Sequence, residues 1–273
     1  MKLKVKQIAA GILLLICVFA CYMPCDIIPE GERIIEMDEV IPQKKVLLMD
    51  FTDQDCINCL QAASEVEKIR GSYSENIIPV SVHASLRRFP LRTTEGNEYQ
   101  KHYLGDEPVP HPNGVIDGVS KTTNFSLWGG LILERFNKAS SLEMEVFSTF
   151  SESDSLLHVS SHFKGLRDID GAKLLLWIIE DKVINFQLVS EGKYNYEFEH
   201  PHVFRSSING TWGEDFSIAN EQEKTLEHTY KLKSGWNVSN ISVIAFIYSS
   251  TTDEVFDVIE SPFKNKMIIR KTT

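Results

Sequence analysis

The sequence predicts an α/β region followed by an all-β region. In the first half, short apolar runs alternate with amphipathic segments, an order that places helices over a sheet. After Ser140 the helical spacing stops, and alternating apolar and polar residues mark seven or eight short strands. With 273 residues and 42% apolar content, the chain can bury one large core or two modest ones. The change of pattern favours two.

An export signal opens the chain. Three lysines lie within the first six residues, and the apolar segment 8–20 after them is too short to cross a bilayer comfortably. Ala20 precedes Cys21 in a pattern that resembles the lipobox of bacterial lipoproteins, so cleavage would leave Cys21 as the lipidated first residue. An uncleaved anchor and cleavage without lipid are the alternatives. In each case the remaining chain is exported.

Residues 22–42 contain three prolines and little periodicity, which predicts an extended tether. Cys25 lies in this tether and has no assigned partner. Loss of residues 1–21 removes three of the 28 basic residues and none of the 38 acidic ones, so the formal charge falls from −10 to −13. Such an acidic chain argues against nucleic acid as a partner.

Two cysteines with the spacing Cys-x-x-Cys are the strongest chemical signal. Cys56 and Cys59 follow the apolar run 46–51 and begin an amphipathic segment that ends near Gly71, which predicts a strand, a turn and a helix. This spacing allows a short disulfide, and a thiol at a helix N-terminus ionises more easily than a free cysteine. The local layout is that of a thioredoxin-like redox site.

Acidic residues beside the cysteines modify this prediction. Asp53 and Asp55 oppose the thiolate-stabilising helix dipole, so we expect a mildly activated thiol. A structural disulfide or a pair of buried thiols is the alternative, since the compartment is oxidising. Zinc would need three or four ligands, and there is no second Cys-x-x-Cys to supply them. We therefore expect no metal and no cofactor.

The predicted α/β region, residues 43–140, contains three strands and three helices. They fall at 46–51, 77–84 and 115–117, and at 56–70, 94–103 and 125–139. In the thioredoxin fold a cis-proline before the third strand leaves backbone groups free to hold an extended substrate. By this resemblance Pro112 is the candidate, with Pro110 as the alternative. His83 ends the second strand and could modulate the leaving thiol.

The predicted all-β region, residues 141–273, suggests an immunoglobulin-like β-sandwich. Its strands are expected near 142–150, 156–163, 173–179, 183–189, 203–208, 225–232, 241–248 and 254–259. His200 and His202 alternate by two and could begin a metal site, but no third ligand is evident, which favours hydrogen-bonding roles.

These motifs together resemble a family of Bacteroidetes outer-membrane lipoproteins with a thioredoxin-like domain, named for a 28-kDa member. The resemblance rests on 46–52, Cys56-Ile57-Asn58-Cys59, 80–83, 112–115 and 199–205. It implies a lipid anchor at the outer membrane, on the periplasmic side or the cell surface.

Two functions are compatible with the sequence. In the first, the protein is a tethered thiol-disulfide oxidoreductase: Cys56 attacks a substrate disulfide, Cys59 resolves the mixed disulfide, and Pro112 positions the substrate. In the second, the fold is a scaffold for a non-enzymatic binding protein that recognises a surface ligand, and the cysteines are dispensable.

Overall fold

The computed structural model describes residues 43–73 and 76–262, which all belong to one compact unit. The predicted signal peptide, the lipobox Cys21 and the tether with Cys25 lie outside the described residues. Within the described ranges, no helix is long and apolar enough to span a membrane.

Three α-helices lie in the described part of the chain: α1 (Asn58–Tyr73), α2 (Thr94–Leu104) and α3 (Trp128–Phe136). The first strands are β1 (Val46–Thr52), β2 (Ile77–His83), β3 (Asn113–Ile116), β4 (Ser120–Thr122), β5 (Leu142–Ser151), β6 (Leu156–Gly165) and β7 (Ile169–Glu180). The later strands are β8 (Val183–Ser190), β9 (Lys193–His200), β10 (Val203–Ser207), β11 (Glu214–Ile218), β12 (Glu223–Lys231), β13 (Ile241–Ser249) and β14 (Val255–Pro262).

One mixed sheet of nine strands runs through both halves of the sequence. Its order is β14-β13-β7-β10-β2-β1-β3-β4, and β11 pairs with β7. Strand β10 joins the halves, because it pairs in parallel with β2 at Val203 and Ser81 and antiparallel with β7. A three-stranded sheet, β12-β6-β5, and the hairpin of β8 and β9 complete the strands that the structure describes.

This sheet corrects the predicted fold class. The expectation of a thioredoxin-like domain followed by an immunoglobulin-like sandwich is wrong: the protein is mostly β, with a mixed sheet and few helices. Strands of the predicted first domain, β1 to β4, are hydrogen-bonded into the same sheet as β7, β10, β13 and β14. The cause is long-range pairing, which the local periodicity of a sequence does not reveal.

Apolar side chains cover both faces of the large sheet. One cluster lies under α2 and includes Phe51, Tyr99 and Trp177, and another packs β7 and β13 against the three-stranded sheet. The third holds α1 and α3 on β1. There, the ring of Trp128 lies over Gly114, where an added Cβ would come within 2.4 Å of the indole, so this position of β3 requires glycine.

A buried ion network closes the sheet at the start of β1. Lys44 Nζ lies 2.9 Å from Asp117 Oδ2, and Arg135 Nε of α3 lies 2.9 Å from the same oxygen. Arg135 also pairs with Glu254, at the start of β14. The other carboxylate oxygen of Asp117 accepts the backbone N–H of Leu47 at 2.9 Å.

Candidate functional site

A disulfide joins Cys56 and Cys59 at the start of α1. β1 has seven consecutive buried residues, which fix its end at Thr52, and a short turn then leads into the helix. The backbone N–H of Cys59 donates to Cys56 Sγ at 3.1 Å, the contact expected of a thiol at a helix N-terminus. Cys56 is partly exposed and Cys59 is buried, so a thiol from outside can reach Cys56 first.

A small cavity lies beneath the disulfide, between the helix and the sheet. Its volume is about 20 Å³, room for about one water molecule. Cys59 lines it together with an unusual number of polar side chains: Asp50, Thr52, Ser81, His83, Gln187 and His200. The sheet register explains the set, since Asp50 is the parallel partner of Ser81 and Thr52 that of His83.

Asp50 is the acidic group among these side chains. It is buried in the middle of the sheet, and its Oδ1 has no hydrogen-bond partner among the described residues. Burial without a compensating charge raises the pKa of Asp50 to about 7. A carboxyl group with this pKa can take or give a proton near neutral pH.

Two buried histidines line the same cavity. The rings of His83 and His200 are in an edge-to-face arrangement, 5.2 Å between centroids. Burial lowers the pKa of His83 well below its usual range and that of His200 to about 4, so both are neutral at pH 7. His200 Nε2–H donates to the Phe186 carbonyl at 3.2 Å, whereas His83 Nδ1 has no partner within the described ranges.

The hairpin β8–β9 holds the cysteine turn from the side. Gln187 is buried, and its Nε2 donates to the Cys56 carbonyl at 3.0 Å. In return, Gln54 Nε2 donates to the Phe186 carbonyl at 2.8 Å, and the Leu188 N–H donates to the Gln54 carbonyl at 2.8 Å. A segment more than 130 residues downstream in sequence therefore fixes the backbone of the redox-capable turn.

The acidic residues beside the cysteines have partners that offset much of their charge. Asp55 forms an ion pair with Arg87 and accepts a hydrogen bond from the Tyr194 hydroxyl at 2.6 Å. The pairing reduces the repulsion that this carboxylate would exert on a Cys56 thiolate. Burial raises the pKa of Asp53.

Pro112 lies at the same edge of the sheet. The His111–Pro112 bond is cis, and so is Glu107–Pro108, which the sequence analysis did not single out. β3 begins at Asn113, the antiparallel partner of Phe51, so Pro112 stands next to the end of β1. Its cis conformation agrees with expectation, and its role in holding a substrate stays a prediction.

The structure therefore brings five predicted site residues to one edge of the sheet: Cys56, Cys59, Asp55, His83 and Pro112. It separates the two histidines considered as metal ligands, because His202 Nε2 lies 3.1 Å from Glu67 Oε1 and 2.7 Å from Arg70 Nη1, away from the disulfide. Among the described residues, no group of three or more His, Cys, Asp or Glu side chains could hold a metal.

Sequence reasoning missed Asp50 and Gln187. A signal for Asp50 was present, since a single acid within the apolar run of β1 has to be buried on one face of the sheet. For Gln187 there was no signal, because its contact with Cys56 depends on long-range packing.

Another groove, of about 610 Å³, lies at the other end of β1 and β2. It is open and is lined by Lys45, Arg70, Ile77 and Glu260 among others. We place the site at the small cavity instead, since the disulfide and the unpartnered Asp50 are there.

Comparisons with known proteins show which family and which solved structures this chain resembles. A family model described as outer membrane protein Omp28 matches residues 108–266, more than half of the chain. The search among curated proteins found no match. A solved structure titled "HBP35 of Porphyromonas gingivalis" superposes with a TM-score of 0.68 at 15% identity, over 85% of this chain and 79% of that one.

Two further structures are similar. A protein from Agrobacterium tumefaciens has a TM-score of 0.51 at 13% identity, over 82% of this chain and 96% of its own. A domain of the outer membrane lipoprotein Omp28 from Porphyromonas gingivalis has 22% identity over 46% of this chain and 90% of its own, with a TM-score of 0.33. At these identities, the likeness to HBP35 and to the Agrobacterium protein shows the fold alone.

The family match defines the class of protein as an exported protein of the bacterial outer membrane. More specifically, the chain belongs to the Omp28 outer membrane protein family. The predicted family and the predicted location at the outer membrane are thereby confirmed. The lipid anchor itself stays a prediction from the sequence. The attachment point, Cys21, stays a prediction.

Proposed function

We propose that this protein is a thiol-disulfide oxidoreductase that acts on exported proteins at the outer membrane. The observation that carries the proposal is the arrangement of the disulfide: a partly exposed Cys56, a buried Cys59, and a cavity beneath them that holds the unpartnered Asp50. A disulfide that only stabilises the fold does not require a buried acid beside it whose pKa is about 7.

In the reduced protein, the Cys56 thiolate attacks one sulfur of a substrate disulfide, and the other substrate sulfur leaves as a thiolate. The helix N-terminus and the N–H of Cys59 stabilise the Cys56 thiolate. Asp50 then accepts the proton of Cys59, directly or through a water in the cavity, and the Cys59 thiolate attacks Cys56 Sγ. The second substrate sulfur leaves, and the Cys56–Cys59 disulfide is restored. A dithiol reductant completes the cycle.

Pro112 has a supporting role in this proposal. Because its nitrogen carries no hydrogen, the backbone around it leaves polar groups available to an extended substrate at the sheet edge. His83 and His200, both neutral, surround the cavity with dipoles and no net charge.

The test is the reduction potential of the Cys56–Cys59 pair in the mature protein carrying Cys25→Ser. Equilibration in glutathione or dithiothreitol buffers should give a reversible couple between roughly −120 and −270 mV, the range of known oxidoreductases. The Cys59→Ser variant should then accumulate mixed disulfides with substrates. A couple below roughly −300 mV, typical of structural disulfides, would reject the proposal and favour a binding protein with dispensable cysteines.

A further inference from the structure

Large exposed apolar side chains lie between the two cysteines and on two segments that contact Asp55 beside them. Leu86 is 73% exposed and Tyr196 is 72% exposed, while Tyr194 and Ile57 are about 40% exposed. Exposed aromatic side chains in such a patch mark a surface that another molecule covers. We define the aromatic rim as Phe89, Phe186, Tyr194 and Tyr196.

The rim is one connected cluster. The ring of Phe186 lies 5.2 Å from that of Phe89, edge to face, and 5.8 Å from that of Tyr194. Tyr196 is 6.5 Å from Phe186 and 6.4 Å from Tyr194. Three of the four rings come from the hairpin β8–β9 and the fourth from the loop after β2, so the cluster bridges two distant parts of the chain.

The rim is fixed against the reactive turn. The Tyr194 hydroxyl donates a hydrogen bond to Asp55, the residue before Cys56. Gln187 of the same hairpin donates one to the Cys56 carbonyl. A polypeptide that brings a sulfur to the partly exposed Cys56 therefore passes beside these side chains.

The charge around the rim fits the chemistry. Arg87 and Arg88 are both exposed on the loop that also carries Leu86, in a chain with a formal charge of −10. Arg88 forms no ion pair with any residue that the structure describes, and Arg87 pairs with Asp55. A substrate sulfur leaves, or in the reverse direction attacks, as a thiolate anion, which a positive border attracts.

We propose that the aromatic rim, with Leu86, is the docking surface for a polypeptide segment of the substrate protein next to its cysteine. This inference rests on the proposed oxidoreductase function. Apolar and aromatic side chains of a polypeptide pack on the exposed Tyr196 and Leu86, and tyrosine supplies contact area at a low cost in side-chain entropy. Glutathione disulfide, small and charged, reaches Cys56 without this surface.

The test compares two oxidised substrates in single-turnover reactions with the reduced mature protein carrying Cys25→Ser. One substrate is scrambled ribonuclease A, a disulfide-bonded unfolded polypeptide, and the other is oxidised glutathione. Tyr196→Ser and Leu86→Ser should each slow the reaction with the polypeptide about tenfold, the size of effect typical of a residue central to an interface. Their rates with glutathione disulfide should stay within about twofold of the parent protein.

The matched control is Phe147→Ser, which removes an aromatic ring that is 57% exposed on β5, in the separate three-stranded sheet. It should leave both rates unchanged. Unchanged polypeptide rates in the rim variants would overturn the docking surface while the oxidoreductase function stands. Equal slowing with both substrates would also overturn it, because the variants would then act on the disulfide itself. Absence of exchange with either substrate in the parent protein would instead reject the proposed function.

Discussion

Two buried polar clusters lie at opposite ends of strand β1, and they differ in how their charges are paired. At the start of the strand, Asp117 meets two cations, Lys44 and Arg135, each at 2.9 Å, and its second oxygen accepts a backbone N–H. Near the end of the strand, Asp50 has no cation beside it, and its Oδ1 has no partner among the described residues.

The contrast separates a structural from a functional use of a buried acid. A carboxylate with close cations and hydrogen bonds is held in its charged form, and the pair ties together the elements that supply it. A carboxyl group without them is kept near neutrality, at a cost to stability that a purely structural position would not retain. Predictions that remove each acid test the distinction.

The largest expected effect is on Asp117. Its replacement, Asp117→Asn, keeps a side chain that tolerates the positive φ of 47° and still accepts from Leu47. It removes the ion-pair partner of the buried Lys44 and one of the two carboxylates that pair with Arg135. We expect a loss of about 3–5 kcal/mol in the free energy of unfolding. Denaturant unfolding of the oxidised protein measures it.

The matched control is Asp215→Asn, which breaks an ion pair with Lys173 at an exposed carboxylate. Such exposed pairs contribute about 0–1 kcal/mol, so this variant should unfold almost like the parent. If Asp117→Asn were as stable as the control, the network would not be what closes this end of the sheet.

Replacement of Asp50 should stabilise the protein near neutral pH, whereas replacement of Asp117 should destabilise it. Burial raises its pKa to about 7 from an ordinary value of 3.8, so between these pH values the folded protein holds a proton that the unfolded chain has released. The favourable contribution of Asp50 is therefore complete below pH 4 and falls as the pH rises to 7, by on the order of 4 kcal/mol. Asp50→Asn, which does not titrate, should remove this loss.

The measurement is the free energy of unfolding of both oxidised proteins from pH 4 to pH 8. Asp50→Asn should gain stability relative to the parent as the pH rises, with the change centred between pH 4 and 7. Parallel curves would mean that Asp50 has an ordinary pKa and would remove it from the proposed mechanism.

The same contrast shows what the sequence could predict. Periodicity located α1 at 56–70 and α2 at 94–103, close to the observed Asn58–Tyr73 and Thr94–Leu104, because the apolar spacing of a helix is a local property. The fold class was mispredicted because β10 is inserted between β2 and β7, which pairs Ser81 with Val203, 122 positions apart in the chain. Short apolar strands with turn signals look alike whether they form one sheet or two.

The candidate site divides in the same way. The cysteines could be read from their spacing, and His83 from its place at the end of a strand. Strand β9 was missed although Tyr194, Tyr196 and Phe198 alternate with polar residues along Lys193–His200, as they do in a strand. These aromatic side chains are mostly exposed, so the alternation does not mark a buried face. Without β9, the pairing of β8 and β9 in a hairpin was not predicted. The contact of Gln187 with the cysteine turn and the aromatic rim were therefore missed as well.

The smallest expected effect comes from removing the hydrogen bond between Gln187 and the Cys56 carbonyl. Gln187→Met keeps the length of the side chain but removes the donor to the Cys56 carbonyl, so the turn should hold the Cys59 N–H less firmly toward Cys56 Sγ. A neutral hydrogen bond contributes about 1 kcal/mol, which corresponds to about 20 mV for a two-electron couple. Since this N–H stabilises the thiolate, we expect a more negative reduction potential and a higher pKa for Cys56.

Asn209→Leu provides the control for this last prediction. Asn209 also uses its side-chain amide to hold backbone, accepting from the Leu176 N–H at 3.0 Å and donating to the Leu174 carbonyl at 2.9 Å, on strand β7. Its loss should lower stability and leave the potential unchanged. If both variants shifted the potential equally, the effect of Gln187 would reflect general loosening of the fold. A shift confined to Gln187→Met would show that the hairpin tunes the chemistry of the cysteine turn through a long-range contact that the sequence did not reveal.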